Sequence, residues 1–496
     1  MIRSDLRRAL AGVGAAVLLL TGCGLSGVEP EPTPSGSATP RPFTVMSTDV
    51  VRVTDPAAMT DAASAMLALN VFQRLMTAEP GESVLKPDAA RDCIFTAATT
   101  YTCTLNEDEL FHNGHALTSS DVKFSVERAA RLNVPGTSAP LLSSLRRIET
   151  PDPLTVRFLL SRVDTQFGWA LASPAASIVD EEVYNADDVQ APDEAIVGSG
   201  PFRIASLEPG RIALQRYPDY VGRNPARLEN LVYRSVNDSA AIEDAMTKGL
   251  VELVWRGLDQ AAITRLSQQA NNPDATTPSG FRQQVLPGAR VLQLHWSPDS
   301  PSRSNRPLRA AITLALQGDR TSDSVVPGGI PGHVATFPQG GTANPRVTWA
   351  NRINLTLGYD SSQPNGRDIA TQIRTRLEDT GGLSVQLRPN ERADLTLVDR
   401  KAWTATALAW LQPYLEAPLP TSAKAVRTAE TAFRASTTDE AANQLLAELQ
   451  VQAAADRVLL PVSQSDEYVY IRADAEMLPT SFGPGWQLGL FGISRG

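Results

Sequence analysis

The chain has 496 residues, of which 42% are hydrophobic and 20% charged, and its formal net charge is −9. That length holds two or three domains with sizeable cores. The acidic balance excludes nucleic acid as a partner, because phosphates would be repelled, and no polybasic run is present to hold anionic lipid.

Arg3, Arg7 and Arg8 form a positive start, and Ala9 to Leu20 is apolar and uncharged. At about a dozen residues this run is too short for a permanent membrane span, which needs about 20. Leu20-Thr21-Gly22-Cys23 follows, small residues before a cysteine, the pattern of a lipobox. Residues 1–22 are therefore expected to be a lipoprotein signal peptide. Cys23 is expected to carry the lipid that anchors an extracytoplasmic body to the cell membrane, each buried CH₂ contributing about 0.8 kcal/mol. Losing residues 1–22 removes the three arginines and Asp5, so the charge of −9 becomes −11. No later apolar run is long enough to span a bilayer. Residues 23–42 read as a Pro-rich tether, with Pro30, Pro32, Pro34, Pro40 and Pro42 among small polar residues. At about 3.1 Å per residue it reaches roughly 60 Å.

Phe43 to Met46 opens the body as a strand. Cys93-Ile94-Phe95 and Tyr101-Thr102-Cys103 are short β-prone runs around a small polar turn. In an oxidising compartment, Cys93 and Cys103 are expected to pair across a hairpin. Thr118 caps a helix with Asp121 in its first turn and Val122, Val126 and Ala129 on one face. Residues 353–398 read as β-α-β-β: a strand from Ile353, a helix carrying Ile369, Ile373 and Leu377 that Gly381-Gly382 terminates, then strands Leu383–Leu387 and Ala393–Val398. Thr438 caps a late helix, and Val458 to Val462 is a strand. The class is mixed α/β without an internal repeat.

Catalytic constellations are missing from the pattern. Ser199 lies in Gly198-Ser199-Gly200, but Val197 stands where a nucleophile elbow needs glycine. No phosphate-binding glycine loop follows a strand. His112 and His115 have the spacing of a helical metal pair, but Asn113-Gly114 between them reads as a turn and no further ligand stands at suitable spacing. His295 and His333 are isolated. A binding protein without metal or cofactor, and not an enzyme, is the expectation.

Several blocks in order carry a resemblance. They are Asp55-Pro56 with Asn70 to Leu75; Thr100 to Leu105; Phe111-His112-Asn113-Gly114 with Leu117 to Ser125; Val197 to Phe202; Tyr217 to Tyr220; Gly249 to Val254; and Arg306 to Leu316. Together, from about Thr44 to the C-terminus, the chain resembles the family 5 extracytoplasmic solute-binding proteins, the oligopeptide-, dipeptide- and nickel-binding components of ABC importers. The resemblance implies a two-lobed, type II (cluster C-like) periplasmic-binding-protein fold with an extra subdomain inserted in lobe one. Lobe one would comprise 43–78, 197–292 and 460–496, the insert 79–196, and lobe two 293–459. Ligand would be enclosed by hinge closure.

In peptide-binding members of the family, the strand equivalent to Ala393–Val398 runs into a segment whose aspartate pairs with the peptide's ammonium. Here the continuation is Asp399-Arg400-Lys401-Ala402-Trp403. Asp399 stands too early for that role, and two cations follow it. Trp255, Trp296 and Trp403 are candidate cleft aromatics, each with the alternative of a core or surface position. Arg400 is a candidate partner for a ligand carboxylate, with exposure to solvent as its alternative. The expected function is that of a monomeric, lipid-anchored solute-binding protein that delivers a small, peptide-like ligand to an ABC permease. The alternative is a transport-inactive lipoprotein of the same fold that regulates or scaffolds envelope assembly. A Cys23→Ala variant should leave the membrane fraction on cell fractionation; retention at the wild-type level would refute the lipobox.

Overall fold

The described residues of the computed structural model are 41–79, 84–192, 194–341, 352–482 and 487–496. The expected signal peptide, Cys23 and the tether as far as residue 40 lie outside them. Strand β1 (Phe43–Ser47) is followed by helix α1 (Ala62–Val71) and the short strands β2 (Met76–Thr77) and β3 (Lys86–Pro87). Next come β4 (Ala90–Ala97), β5 (Thr100–Leu105), α2 (Ser119–Leu132), β6 (Leu145–Asp152), β7 (Thr155–Leu160) and α3 (Phe167–Ala170). The chain continues through β8 (Phe202–Glu208), β9 (Arg211–Arg216), β10 (Asn230–Ser235), α4 (Ser239–Thr247), β11 (Leu253–Trp255), α5 (Gln260–Gln269), β12 (Phe281–Trp296) and α6 (Arg306–Ala315). It closes with β13 (Ile353–Tyr359), α7 (Gly366–Glu378), β14 (Leu383–Pro389), β15 (Leu395–Arg400), α8 (Ala407–Glu416), α9 (Ala423–Arg434), α10 (Asp439–Asp456), β16 (Leu459–Arg472), β17 (Ala475–Met477) and β18 (Ile493–Arg495).

Among the described residues, ten strands form one mixed sheet in the order β14-β13-β15-β12-β16-β11-β1-β10-β9-β8. β1 lies between two parallel neighbours and all five of its residues are buried, as a strand covered on both faces requires. The sheet serves two large cores and a smaller one, in which Met46, Val254, Phe281 and Tyr470 pack against α4 and α5. The first large core draws on Phe43, Val71, Phe202, Leu253 and Ile471. The second draws on Leu294, Ile312, Leu357, Trp410 and Leu460. A third core lies under the antiparallel sheet β4-β5-β7-β6, where α2 packs Val122, Val126 and Ala129 beside Phe158.

β12 and β16 run through both large cores. They pair from Phe281 to Leu286 against Arg472 to Glu467, and again from Arg290 to His295 against Ser465 to Leu459. Between these stretches Gly288 adopts φ +62° and its N–H donates to Asp466 Oδ1 at 3.0 Å. A side chain is disfavoured in that left-handed conformation. The register break joins the two halves of the sheet at a bulge.

Local signals appear where chemistry demands them. The Thr118 side chain accepts the Ser120 N–H, and Asp121 Oδ2 accepts the Thr118 N–H at 2.9 Å. Thr438 caps α10, and Gly381, at φ +84°, lies beyond the end of α7. Cys93 and Cys103 face each other across β4 and β5 and are bonded. β15 starts at Leu395, two residues later than its pattern suggests, because Asp394 turns its carboxylate onto the Thr356 N–H and hydroxyl, both at 2.8 Å.

The Gly198–Pro201 block owes its glycines to close approach and not to backbone freedom. Neither Gly198 nor Gly200 has positive φ. Both lie against the end of α1, where a Cβ on Gly198 would stand 2.0 Å from the Val71 carbonyl oxygen and one on Gly200 2.5 Å from its carbon. Gly200 N–H donates to Val71 O at 2.8 Å. The His112 imidazole spans the same block: Nε2 donates to Gly200 O at 2.9 Å, and Nδ1 accepts the Gly198 N–H at 3.4 Å. Burial pushes this histidine down to about 4, so it stays neutral with one nitrogen donating and the other accepting. Gly200→Ala forces the chain off Val71 and should destabilise the protein by about 1–3 kcal/mol, read as a lower urea midpoint. A wild-type midpoint would refute the close-approach account.

Candidate functional site

A cavity of about 870 Å³ opens between the two large cores. Asp49, Arg52 and Asp61, between β1 and the start of α1, line one side together with Arg256. Asp360 and Gln363, beyond β13, line the other, with β15 from Thr396 onward and Trp403.

Its floor is a buried ion network. Arg256 follows β11 in a left-handed conformation, φ +53°, and its carbonyl accepts the Ser47 hydroxyl at 2.5 Å and the Thr48 N–H at 3.2 Å. This strained turn aims the guanidinium at three carboxylates. Nε meets Asp49 at 2.7 Å, Nη1 meets Glu467 at 3.0 Å and Nη2 meets Asp399 at 3.1 Å. Two further cations complete the set: Arg290 Nε lies 3.2 Å from Asp399, and Lys401 Nζ lies 2.8 Å from Glu467. Three acids thus face three bases. Trp255 Nε1 adds a 2.6 Å hydrogen bond to Glu467, and Gln363 Nε2 one of 2.8 Å to Asp49.

Burial alone would push the Asp399 and Glu467 carboxyls up. Arg256, Arg290 and Lys401 outweigh it at Asp399, and Lys401 and Arg256 do so at Glu467, holding both below their ordinary values. Burial likewise pulls against the Arg256 cation, but Asp399, Asp49 and Glu467 raise its pKa well above the usual arginine value. Asp399 Oδ1 is buried beneath the cavity and takes no hydrogen bond among the described residues.

The expected ligand contacts are redistributed. Trp255 is fully enclosed in the first core and does not line the cavity, so its place is that of a core residue that orients Glu467. Trp296 is buried in the second core and borders a separate hollow of about 370 Å³. Trp403 does line the cavity. Arg400 also borders it, but its Nη2 donates to Ala409 O at 2.6 Å and its guanidinium lies over the Trp410 ring. Burial lowers it to about 10. Its side chain is thus held against the chain itself and does not extend freely into solvent. Lys401 likewise does not point to solvent: its side chain is 4% exposed. His115 Nδ1 meets the buried Asp180 at 2.8 Å, away from the cavity lining. Asp399, which the sequence set aside as too early, lies on the floor. Asp49, Arg256, Arg290 and Glu467 went unnoticed; the available signal was a charge in each of several otherwise β-prone runs, such as Val254-Trp255-Arg256.

Two lobes on one sheet, with a polar cavity between them and a bulged pair of crossing strands, define a binding protein of the type II periplasmic class. The chain belongs to the bacterial extracellular solute-binding proteins of family 5, whose model matches residues 85–425. It is 24% identical over 307 residues to the peptide transport periplasmic protein SapA of Salmonella typhimurium, covering 57% of this chain and 53% of that one. The chain thus matches about half the length of such relatives. In fold it is similar to AgaA of A. tumefaciens R10, solved with agropinic acid (TM-score 0.77, 19% identity, 92% of this chain and 98% of that one). It is also similar to a dipeptide-binding protein of Pseudoalteromonas sp. SM9913 solved with Met-Leu (TM-score 0.75, 17% identity, 92% and 100%).

Removing one charge from a buried network strands its partners, at about 3–5 kcal/mol. Glu467→Gln should destabilise the protein by about that amount at neutral pH. The sign with pH follows from the depressed carboxyls. Their stabilisation is fully present above the unfolded values near about 4 and is lost as pH falls through the lower folded values. Urea midpoints measured from pH 7 down to the acid limit should fall more steeply for wild type than for Glu467→Gln. Parallel curves would show that the network does not carry the acid dependence.

Proposed function

We propose that this chain is a lipid-anchored solute-binding protein of an ABC importer, tethered through Cys23, that captures a peptide-like ligand between lobes and presents it to a permease. In this reading lobe one is 43–78, 197–292 and 460–496, the insert is 79–196 and lobe two is 293–459. The crossing of β12 and β16 serves as the hinge. Family membership and the cavity support it.

The observation that carries the ligand chemistry is the charge-balanced floor. A free ammonium brought to Asp399 would add a positive charge beside Arg256, Arg290 and Lys401, and its lost hydration would not be repaid. A neutral group fits better, because it leaves the charge balance of the floor unchanged. We therefore infer a ligand that is acylated or otherwise uncharged where it meets the floor. One observation favours the transport-inactive alternative: Arg256 and Gln363 already join the two sides of the cavity through the chain's own side chains.

Isothermal titration with trialanine and N-acetyl-trialanine tests the ligand chemistry. The acetylated peptide should bind at least as tightly as the free one. Tight binding of the free peptide, weakened tenfold or more by acetylation, would overturn this account of the floor. Binding of neither peptide would count against the peptide-like ligand.

A further inference from the structure

Among the described residues, the third core contains one from far along the sequence. Trp403, beyond β15, is 9% exposed and packs into the apolar cluster otherwise built from residues 57–197, among them Phe111, Phe158 and Phe167. Burying an indole in a core is a large, non-directional attraction. Directional contacts join the same two bodies elsewhere. Asp164, after β7, has a fully buried side chain, and its Oδ2 meets Arg434 Nη1 of α9 at 3.0 Å. The same oxygen accepts the Ser144 hydroxyl at 2.7 Å. The Thr165 N–H donates to Arg434 O at 2.7 Å, and Gln412 of α8 reaches Thr137 O at 3.2 Å. Trp403 also lines the large cavity, so this seam borders the space where a ligand would lie.

A second set of contacts spans the floor. Arg256 joins Asp399 at 3.1 Å and Gln363 at 3.3 Å, and Gln363 returns to Asp49 at 2.8 Å. In both places the contact is direct, protein atom to protein atom. A ligand can shift an opening equilibrium only by its different affinity for the two states. Here the chain itself supplies contacts that exist only when the lobes are together.

We propose that this protein carries a built-in latch: Trp403, seated in the inserted subdomain and registered by the Asp164–Arg434 pair, holds the lobes together without a ligand. The ion pair gives specificity of docking, since opening returns both charges to water. The buried indole supplies the closing force, because opening would expose it. Ligand entry then requires the latch to open first, and closure does not report occupancy.

The test uses the full-length protein in detergent, unfolded and refolded to strip any co-purified ligand. Hydrogen exchange is followed in the segment containing Thr165, whose amide is held by Arg434. In wild type this segment should be protected. In Trp403→Ala it should exchange at least tenfold faster, while segments from β12 and β16 keep their wild-type protection. A Thr165 segment that exchanges as a free loop in stripped wild type, or that is unchanged in Trp403→Ala, overturns the latch. If Trp403→Ala also loses protection in β12 and β16, small-angle scattering of stripped wild type decides. A particle with the lobes together supports the proposal, and an expanded one overturns it.

Discussion

A guanidinium taken out of water must find its neutralising charge within the protein, and at Arg256 that requirement reaches into every part of the fold that surrounds the cavity. Asp49 comes from just beyond the first strand, Glu467 from a crossing strand and Asp399 from β15. Each must arrive within about 3 Å, because a buried charge left without its partner is costly. The network therefore constrains the positions of β1, β11, β15 and β16 relative to one another. The bulge at Gly288 lies within the same neighbourhood, since Arg290, two residues on, is one of the three cations. A cleft floor and a crossing point are thereby held by one set of interactions.

The same balance shapes the chemistry on offer. Acids beneath a cavity would suggest affinity for cations, but Asp399 and Glu467 are held charged by bases of the chain, which balance them. What remains is aromatic surface from Trp403 and polar groups around the rim. Hydrogen-bonding complementarity, more than charge, then distinguishes ligands, and a site of this kind rejects a group that leaves its buried polar atoms unsatisfied.

The attachment of the inserted sheet follows a different physical rule. Here backbone meets backbone. Gly198 and Gly200 give up side chains so that the chain can lie on the Val71 carbonyl, and a neutral histidine, His112, spans the same two residues. A cationic imidazole could not accept the Gly198 N–H, so burial, which disfavours the charged ring, is part of the joint. The contrast with the floor is instructive: one junction depends on charges being present, the other on a charge being absent.

The sequence by itself determined what depends on near neighbours. Thr118 and Thr438 cap their helices because a side-chain oxygen has only to reach an N–H two or three residues on. Cys93 and Cys103 face each other because a short turn sets the register of two adjacent strands. The order of the motif blocks indicated the family and its two-lobed class. The site was far less legible. Trp255 and Arg400 looked like ligand contacts because an aromatic or a cation at a strand end is compatible with a cleft, yet the first faces a core and the second stacks on Trp410. Arg256 drew no attention, although its partners stand at positions 49, 399 and 467. No local periodicity links residues hundreds of positions apart. Whether a charged side chain is solvated, paired or buried is decided only when distant strands meet, because the energy of a charge depends on what surrounds it in space.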